Sequence, residues 1–185
     1  MRIRAWLAVL AVISACASVA PNAARSDAPL ERRDLIGAWR LVGMSYSGPD
    51  GRVDPFYQPG STGILIYDAS GWMSVQIGAP GRAFLQVPGA RVARPADDRQ
   101  APLEAAAFNS YYAYFGTWDL DERSSVIIHH VASALIPAEV GADYSQAATL
   151  VGGRLMFTTH TGSAGGEVVR TKTWERVPDP SPETR

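Results

Sequence analysis

Ser125-Val126-Ile127-Ile128-His129-His130-Val131-Ala132-Ser133-Ala134-Leu135-Ile136-Pro137 is the longest β-like run in the chain. It is rich in β-branched residues, is closed by a proline and carries two of the three histidines. On a strand, adjacent side chains point to opposite faces. His130 then shares a face with Val126, Ile128, Ala132, Ala134 and Ile136, and His129 with Ile127, Val131, Ser133 and Leu135. Both faces are apolar, so both are expected to be covered, one by a sheet interior and the other by a helix. The two imidazoles cannot line one cavity together, nor readily hold one metal.

Shorter strands are expected on either side. Thr62–Tyr67 and Trp72–Ile77, joined by Asp68-Ala69-Ser70-Gly71, read as a hairpin. Trp39–Tyr46 reads as a strand, followed by the turn Ser47-Gly48-Pro49-Asp50-Gly51 and a short, proline-interrupted strand at Arg52–Phe56. Downstream, strands are expected at Phe115–Leu120, Tyr144–Val151, Arg154–His160 and Glu167–Val177, with Gly152-Gly153 as a two-residue hairpin turn. Pro102–Tyr112 is the one helix candidate, with Leu103, Ala107, Ser110 or Tyr111, and Tyr114 on one face. Residues 79–100 hold five prolines and glycines at 80, 81, 88, 89 and 95, and four arginines, and form a long basic loop. It is either a lid over a pocket mouth or a tolerated surface insertion. The fold class is therefore all-β: an antiparallel up-and-down barrel of about eight to nine strands with one short helix, with a sandwich as the alternative.

The ends of the chain are different in kind. Arg2 and Arg4, the apolar stretch Ala5–Ile13 and the small residues after it read as a secretory signal over residues 1–24, too short to span a bilayer. Ile13-Ser14-Ala15-Cys16 matches a lipobox, in which Cys16 would be lipidated; Asn22-Ala23-Ala24 offers an ordinary cleavage site instead. Export is expected either way, to the periplasm or, through a lipid on Cys16, to a membrane surface. Residues 25–34 read as a linker, 35–177 as the barrel and 178–185 as a disordered tail. Cys16 is the only cysteine, so the mature domain has no disulfide and no thiol nucleophile.

Composition excludes several classes of function. The net charge of -1 leaves no nucleic-acid footprint. Among 17 basic residues Lys172 is the only lysine. The H-E-x-x-H, C-x-x-C, G-x-S-x-G, P-loop and G-x-G-x-x-G patterns are all missing, so neither metal nor cofactor is indicated.

Gly37-Ala38-Trp39 on the first strand and Trp174-Glu175-Arg176 on the last resemble the lipocalin pattern, in which the G-x-W tryptophan closes the barrel base beneath an arginine. Gly63–Tyr67, Gly71–Val75, Tyr112–Gly116, His130 with Pro137 and Gly141, and Gly152–Leu155 occur in order between them. Together these residues resemble the bacterial and fungal lipocalin-like domain family over roughly residues 35–177. The resemblance implies a barrel and not an activity. It implies Trp39 and Arg176 as the structural base, and it points to His130 as the family histidine. It departs at Gln146, where the family commonly has an arginine, which puts any anion contact of that arginine in doubt.

The leading functional expectation is binding of a small, mostly hydrophobic or aromatic molecule in the barrel, lined by Trp72, Tyr112, Tyr114, Trp118 and His130. Each aromatic taken alone reads first as a core residue, and His130 first as a hydrogen-bonded structural group. The alternatives are a cofactor-free isomerase, cyclase or hydratase using His130 as acid or base, and a structural envelope protein with a filled barrel.

Overall fold

The computed structural model describes residues 29–48, 58–82, 101–163 and 166–178. The signal, Cys16, the Arg52–Phe56 strand, most of the basic loop and nearly all of the tail lie outside the described residues. Eight antiparallel strands close into a barrel in sequential order, the last pairing with the first. They are β1 (Gly37–Ser47), β2 (Thr62–Tyr67), β3 (Trp72–Gly78), β4 (Tyr111–Asp121), β5 (Val126–Ala134), β6 (Asp143–Val151), β7 (Arg154–Ser163) and β8 (Gly166–Arg176). The hairpin at Asp68–Gly71 forms as expected, with register Thr62↔Gly78 through Tyr67↔Met73. Closure leaves no sheet edge unpaired, which suits a barrel that contains no cysteine.

Two local expectations are corrected. The helix α2 spans Ala101–Asn109 and stops short of Tyr111 and Tyr112, which open β4. It buries none of its residues, so it covers no face of β5. Aromatic β propensity and the pairing Tyr112↔Ile77 outweigh the helical pattern there. In addition, residues 29–34 are more than a linker. Leu30 is buried, and α1 (Arg32–Leu35) sits across one end of the barrel, with Leu35 fully buried.

That end is the base. Trp39, Trp118 and Trp174 are each 1% exposed and pack with Leu65, Ile127 and Leu155. The Trp39 indole N–H donates to the Leu35 carbonyl at 2.7 Å. The Arg176 guanidinium lies 4.2 Å from the Trp39 ring and donates to the carbonyls of Ile36 (2.6 Å) and Asp34, as the G-x-W pattern implied. Gly37 is required beside it: its φ is +130°, and a Cβ there would meet Arg176 Nη1 at 2.7 Å. A second arginine does the same for a second tryptophan. Arg32 lies 4.0 Å over Trp118, a contact the sequence pattern did not reveal. Each such cation–π contact contributes about 0.5–2 kcal/mol, and each seals an apolar base without burying a charge.

One irregularity sets the phase of β5. Phe115 pairs with Ser133 and Gly116 with Val131, so Ala132 is an extra, bulged residue. Gly116 makes room for it. A Cβ on Gly116 would lie 1.8 Å from the His130 carbonyl oxygen and 2.8 Å from the Ala132 nitrogen. Both are backbone atoms and cannot rotate away. Gly116→Ala should therefore destabilise the barrel by about 4 kcal/mol or prevent folding. Gly162→Ala, where nothing lies within 4 Å, should stay within about 0.5 kcal/mol of wild type. Urea unfolding of the pair tests this, and similar midpoints for the two variants would show that the bulge does not need the glycine.

Candidate functional site

Above the tryptophan base the barrel interior turns polar. His129, on β5, is wholly buried. Its Nε2 lies 2.6 Å from the Tyr67 hydroxyl, and its Nδ1 lies 2.8 Å from the Tyr114 hydroxyl and 3.2 Å from the Gln146 amide. Tyr67 and Tyr114 flank the imidazole with ring centroids at 5.6 and 5.8 Å, and Phe157 meets it edge-on at 6.3 Å. Burial pushes the His129 pKa down to about 3, aided by the charges of Lys172 and His130. The imidazole is therefore neutral, with one donor nitrogen and one acceptor nitrogen.

The proton positions follow from satisfying each buried group. Among the described residues, Nε2 is the acceptor in reach of the buried Tyr67 hydroxyl. Tyr67 donates to it, since an unmade buried hydrogen bond costs about 1–3 kcal/mol. Burial also raises the Tyr67 pKa, which keeps that proton in place. Nδ1 then carries the imidazole proton and donates to the Tyr114 oxygen. The structure places the Gln146 amide nitrogen at Nδ1, so the amide has to be rotated by 180° for its oxygen to accept there.

Tyr114 faces an open-mouthed cavity of about 510 Å³. Met44, Ile77, Tyr112 and Tyr114 supply apolar and aromatic wall; Gln146, Thr159, Arg170 and Lys172 supply polar groups. Glu139 and Asp143 enter from the β5–β6 side. Tyr112, Tyr114 and Tyr144 meet edge-to-face, with centroids at 5.5 and 5.6 Å. Burial raises the Tyr112 pKa, with further rises from Tyr114, Glu139 and Tyr144. Tyr144 is raised by burial and by Glu139, to which its hydroxyl is hydrogen-bonded.

Of the expected lining residues, Tyr112 and Tyr114 stand in the cavity wall. The other three are placed elsewhere. His130 points outward, its side chain 38% exposed, between Asp143 (2.7 Å to Nδ1) and Asp119 (3.2 Å to Nε2). The histidine of the interior is His129. Ala134 packs against the core with Ile127, His129 and Val131; unbroken alternation counted back from Ala134 would select His130, and the Ala132 bulge shifts that count by one. With His130 outside, its assignment as the acid or base of a pocket loses its geometric basis. Trp72 is 51% exposed beside Phe115, because Met73, Val75 and Ile77 are the inward residues of β3. Trp118 is inward but lies in the base, its ring 4.6 Å from Tyr67 and beneath Arg32. Tyr67, Gln146, Arg170 and Lys172 were not expected in the site. Their inward parity was readable, but no motif singles them out.

A closed eight-stranded antiparallel barrel with a sealed base, a polar middle layer and an open cavity is an architecture with room for one small molecule. The lipocalin-like domain model matches residues 36–177, and the chain belongs to that family. No curated protein matches the chain.

The adjacent histidines should give opposite pH dependences. The unfolded chain protonates His129 below about pH 6.5 and the folded protein does not until about pH 3, so His129 lowers stability as pH falls through that window. Hydrogen bonds to Asp143, and then Asp119, raise the His130 pKa above 6.5. Its contribution is complete below pH 6.5 and lost as pH rises through the folded value. Melting temperatures of His129→Gln and His130→Asn, each compared with wild type across pH 4 to 9, should diverge on opposite limbs. Parallel curves for the two variants would contradict the in–out assignment.

Proposed function

We propose that this protein binds a small, mostly apolar molecule non-covalently in the barrel cavity. The observation that carries the reading is a cavity of about 510 Å³ that is open at one end and closed at the other by three buried tryptophans. Its volume is in the range of small-molecule pockets, and its wall mixes aromatic and aliphatic surface with a few fixed polar groups. Ligand area removed from water contributes about 25 cal/mol per Å², so affinity would come from Met44, Ile77, Tyr112 and Tyr114. Orientation would come from Tyr114, whose hydroxyl is held by His129.

Binding of the neutral fluorophore N-phenylnaphthylamine tests the reading. Wild type should enhance its emission saturably. Thr159→Trp, which places an indole in the cavity wall, should weaken binding by about tenfold or more while leaving the unfolding midpoint nearly unchanged. No saturable binding by wild type would count against a ligand-binding barrel.

We further propose that the chain is exported, on the strength of the signal-like residues 1–24. Mass spectrometry of protein recovered from its own cell envelope should find a mature N-terminus either at a diacylglycerol-modified Cys16 or just beyond Ala24. An intact Met1 would overturn export.

A further inference from the structure

The outer wall of the barrel is not uniform. On β2, β3 and β4 the inward positions include Leu65, Tyr67, Val75, Tyr114 and Trp118. Strand alternation turns the residues between them outward. From Thr62 to Ile66, from Trp72 to Gln76 and from Ala113 to Thr117 none of these is charged. Three of the outward residues are large and apolar: Ile66, Trp72 and Phe115 are 41%, 51% and 48% exposed. Trp72 and Phe115 pair with ring centroids 6.4 Å apart. Ile66 and Phe115 flank Ser74 on the two neighbouring strands. On the far wall such a position is held by threonines, Thr158 on β7 beside Thr171 on β8. An exposed aromatic pair among uncharged neighbours is the kind of patch that marks a contact surface.

Position and shape decide what meets it. Trp72 opens β3 directly after the Asp68–Gly71 turn, at the base end. There the Trp118 N–H donates to the Gly71 carbonyl at 3.0 Å, and a Cβ on Gly71 would lie 3.4 Å from Arg32 Nη2. The described chain enters the barrel at this same end, through Leu30 and α1. Between Cys16 and Pro29 the chain can span at most about 45 Å, so a lipid on Cys16 would hold the base, and Trp72 with it, beside a bilayer. The wall is also small and convex. Three strands about 4.8 Å apart, over the length of Trp72–Gln76, present about 250 Å². That is well under the roughly 800 Å² per partner of a stable protein pair, and two convex barrels meet only along a line. A lipid surface deforms around a convex wall, and aromatic rings favour the level of its headgroups.

We propose that the outer β2–β4 wall, centred on Trp72 and Phe115, seats the barrel on a lipid surface. This rests on the export reading above and adds a contact that Cys16 does not supply. The wall carries no charge of its own, and Asp68 and Asp119 border it at the base end. Zwitterionic lipid therefore suffices.

Trp72 reports on its own surroundings, because Trp39, Trp118 and Trp174 are each 1% exposed and Trp6 precedes both processing sites. Mature protein recovered from the cell envelope is placed on phosphatidylcholine vesicles with brominated acyl chains. The bromines should quench Trp72 emission, and iodide, which quenches it without vesicles, should lose access. Trp72→Phe should abolish the bromine quenching. Phe115→Ser should lower it by about twofold or more, and Val151→Ser, on the far side of the barrel, should leave it unchanged. A Trp72 that stays open to iodide on vesicles and untouched by bromine overturns the proposal, while a lipid found on Cys16 would keep the anchor. If the mature chain begins beyond Ala24, the wall must bind alone, and no quenching at excess lipid overturns it. Shielding from iodide without vesicles means that residues 83–100 or a second copy cover the wall, which overturns it as well. An intact Met1 removes export and this proposal with it.

Discussion

The close approach of Gly116 to the backbone of His130 and Ala132 is the constraint on which the interior depends. Side chains on a strand alternate, so one extra residue exchanges inside for outside along everything beyond it. The bulge at Ala132 can form only where the facing strand has no Cβ. It leaves Ile127, His129 and Val131 facing in on one side of it and Ala134 packed inward on the other. A glycine on β4 thereby determines which of two adjacent histidines is dry. The same kind of shift occurs on β1, where Leu41 pairs with Trp174 and Gly43 with Thr173, leaving Val42 as the extra residue. Beyond that bulge Met44 turns toward the cavity. The two bulges aim one side chain each at the two levels of the site, His129 at its floor and Met44 in its wall.

An imidazole at the centre of a barrel is costly unless both nitrogens are used and neither carries charge. The layer meets both conditions. Tyr67 donates to one nitrogen; Tyr114 and Gln146 attend the other. The positive charge of Lys172 then acts in the same direction as burial, against protonation. His129 is thus held neutral, and with no exposed surface it touches no ligand itself. Its consequence for the cavity is indirect: it orients Tyr114. His130 has the same side chain under opposite conditions. It is solvated and set between two carboxylates, and it is stabilised in the charged form.

Much of this was legible in the sequence, and the limits have physical causes. The hairpin at Asp68–Gly71 and the sequential strands follow from β propensity and turn residues, which are local; the Trp39–Arg176 closure was readable only through the family resemblance. That the two histidines must point apart also follows from parity alone. Which one points in does not, because the bulge depends on contact between residues 116 and 132 and leaves no local mark on β5. Trp72 illustrates a different limit. Its size argues for burial, but the aliphatic residues of β3 at 73, 75 and 77 fix the inward face, and the indole is left outside beside Phe115. The stretch before Leu35 looks like a linker because its polar residues outnumber Leu30 and Leu35. Yet those two leucines, with Arg32 over Trp118, close the base.

Base and mouth use arginine in contrasting ways, and the contrast explains the position of the lone lysine. At the base, Arg32 and Arg176 lie over indoles, and Arg176 donates to backbone carbonyls. A planar, weakly hydrated guanidinium suits that stacking. At mid-barrel the requirement is different. The inward position on β8 between Trp174 and Arg170 faces Phe157 and Met44 on the neighbouring strands. An ammonium on a thin apolar stem can lay its methylenes along such a wall and bring a compact charge to its tip. In a chain that otherwise uses arginine throughout, lysine stands at position 172, one inward step deeper than Arg170. It delivers positive charge beside a histidine that the fold keeps neutral.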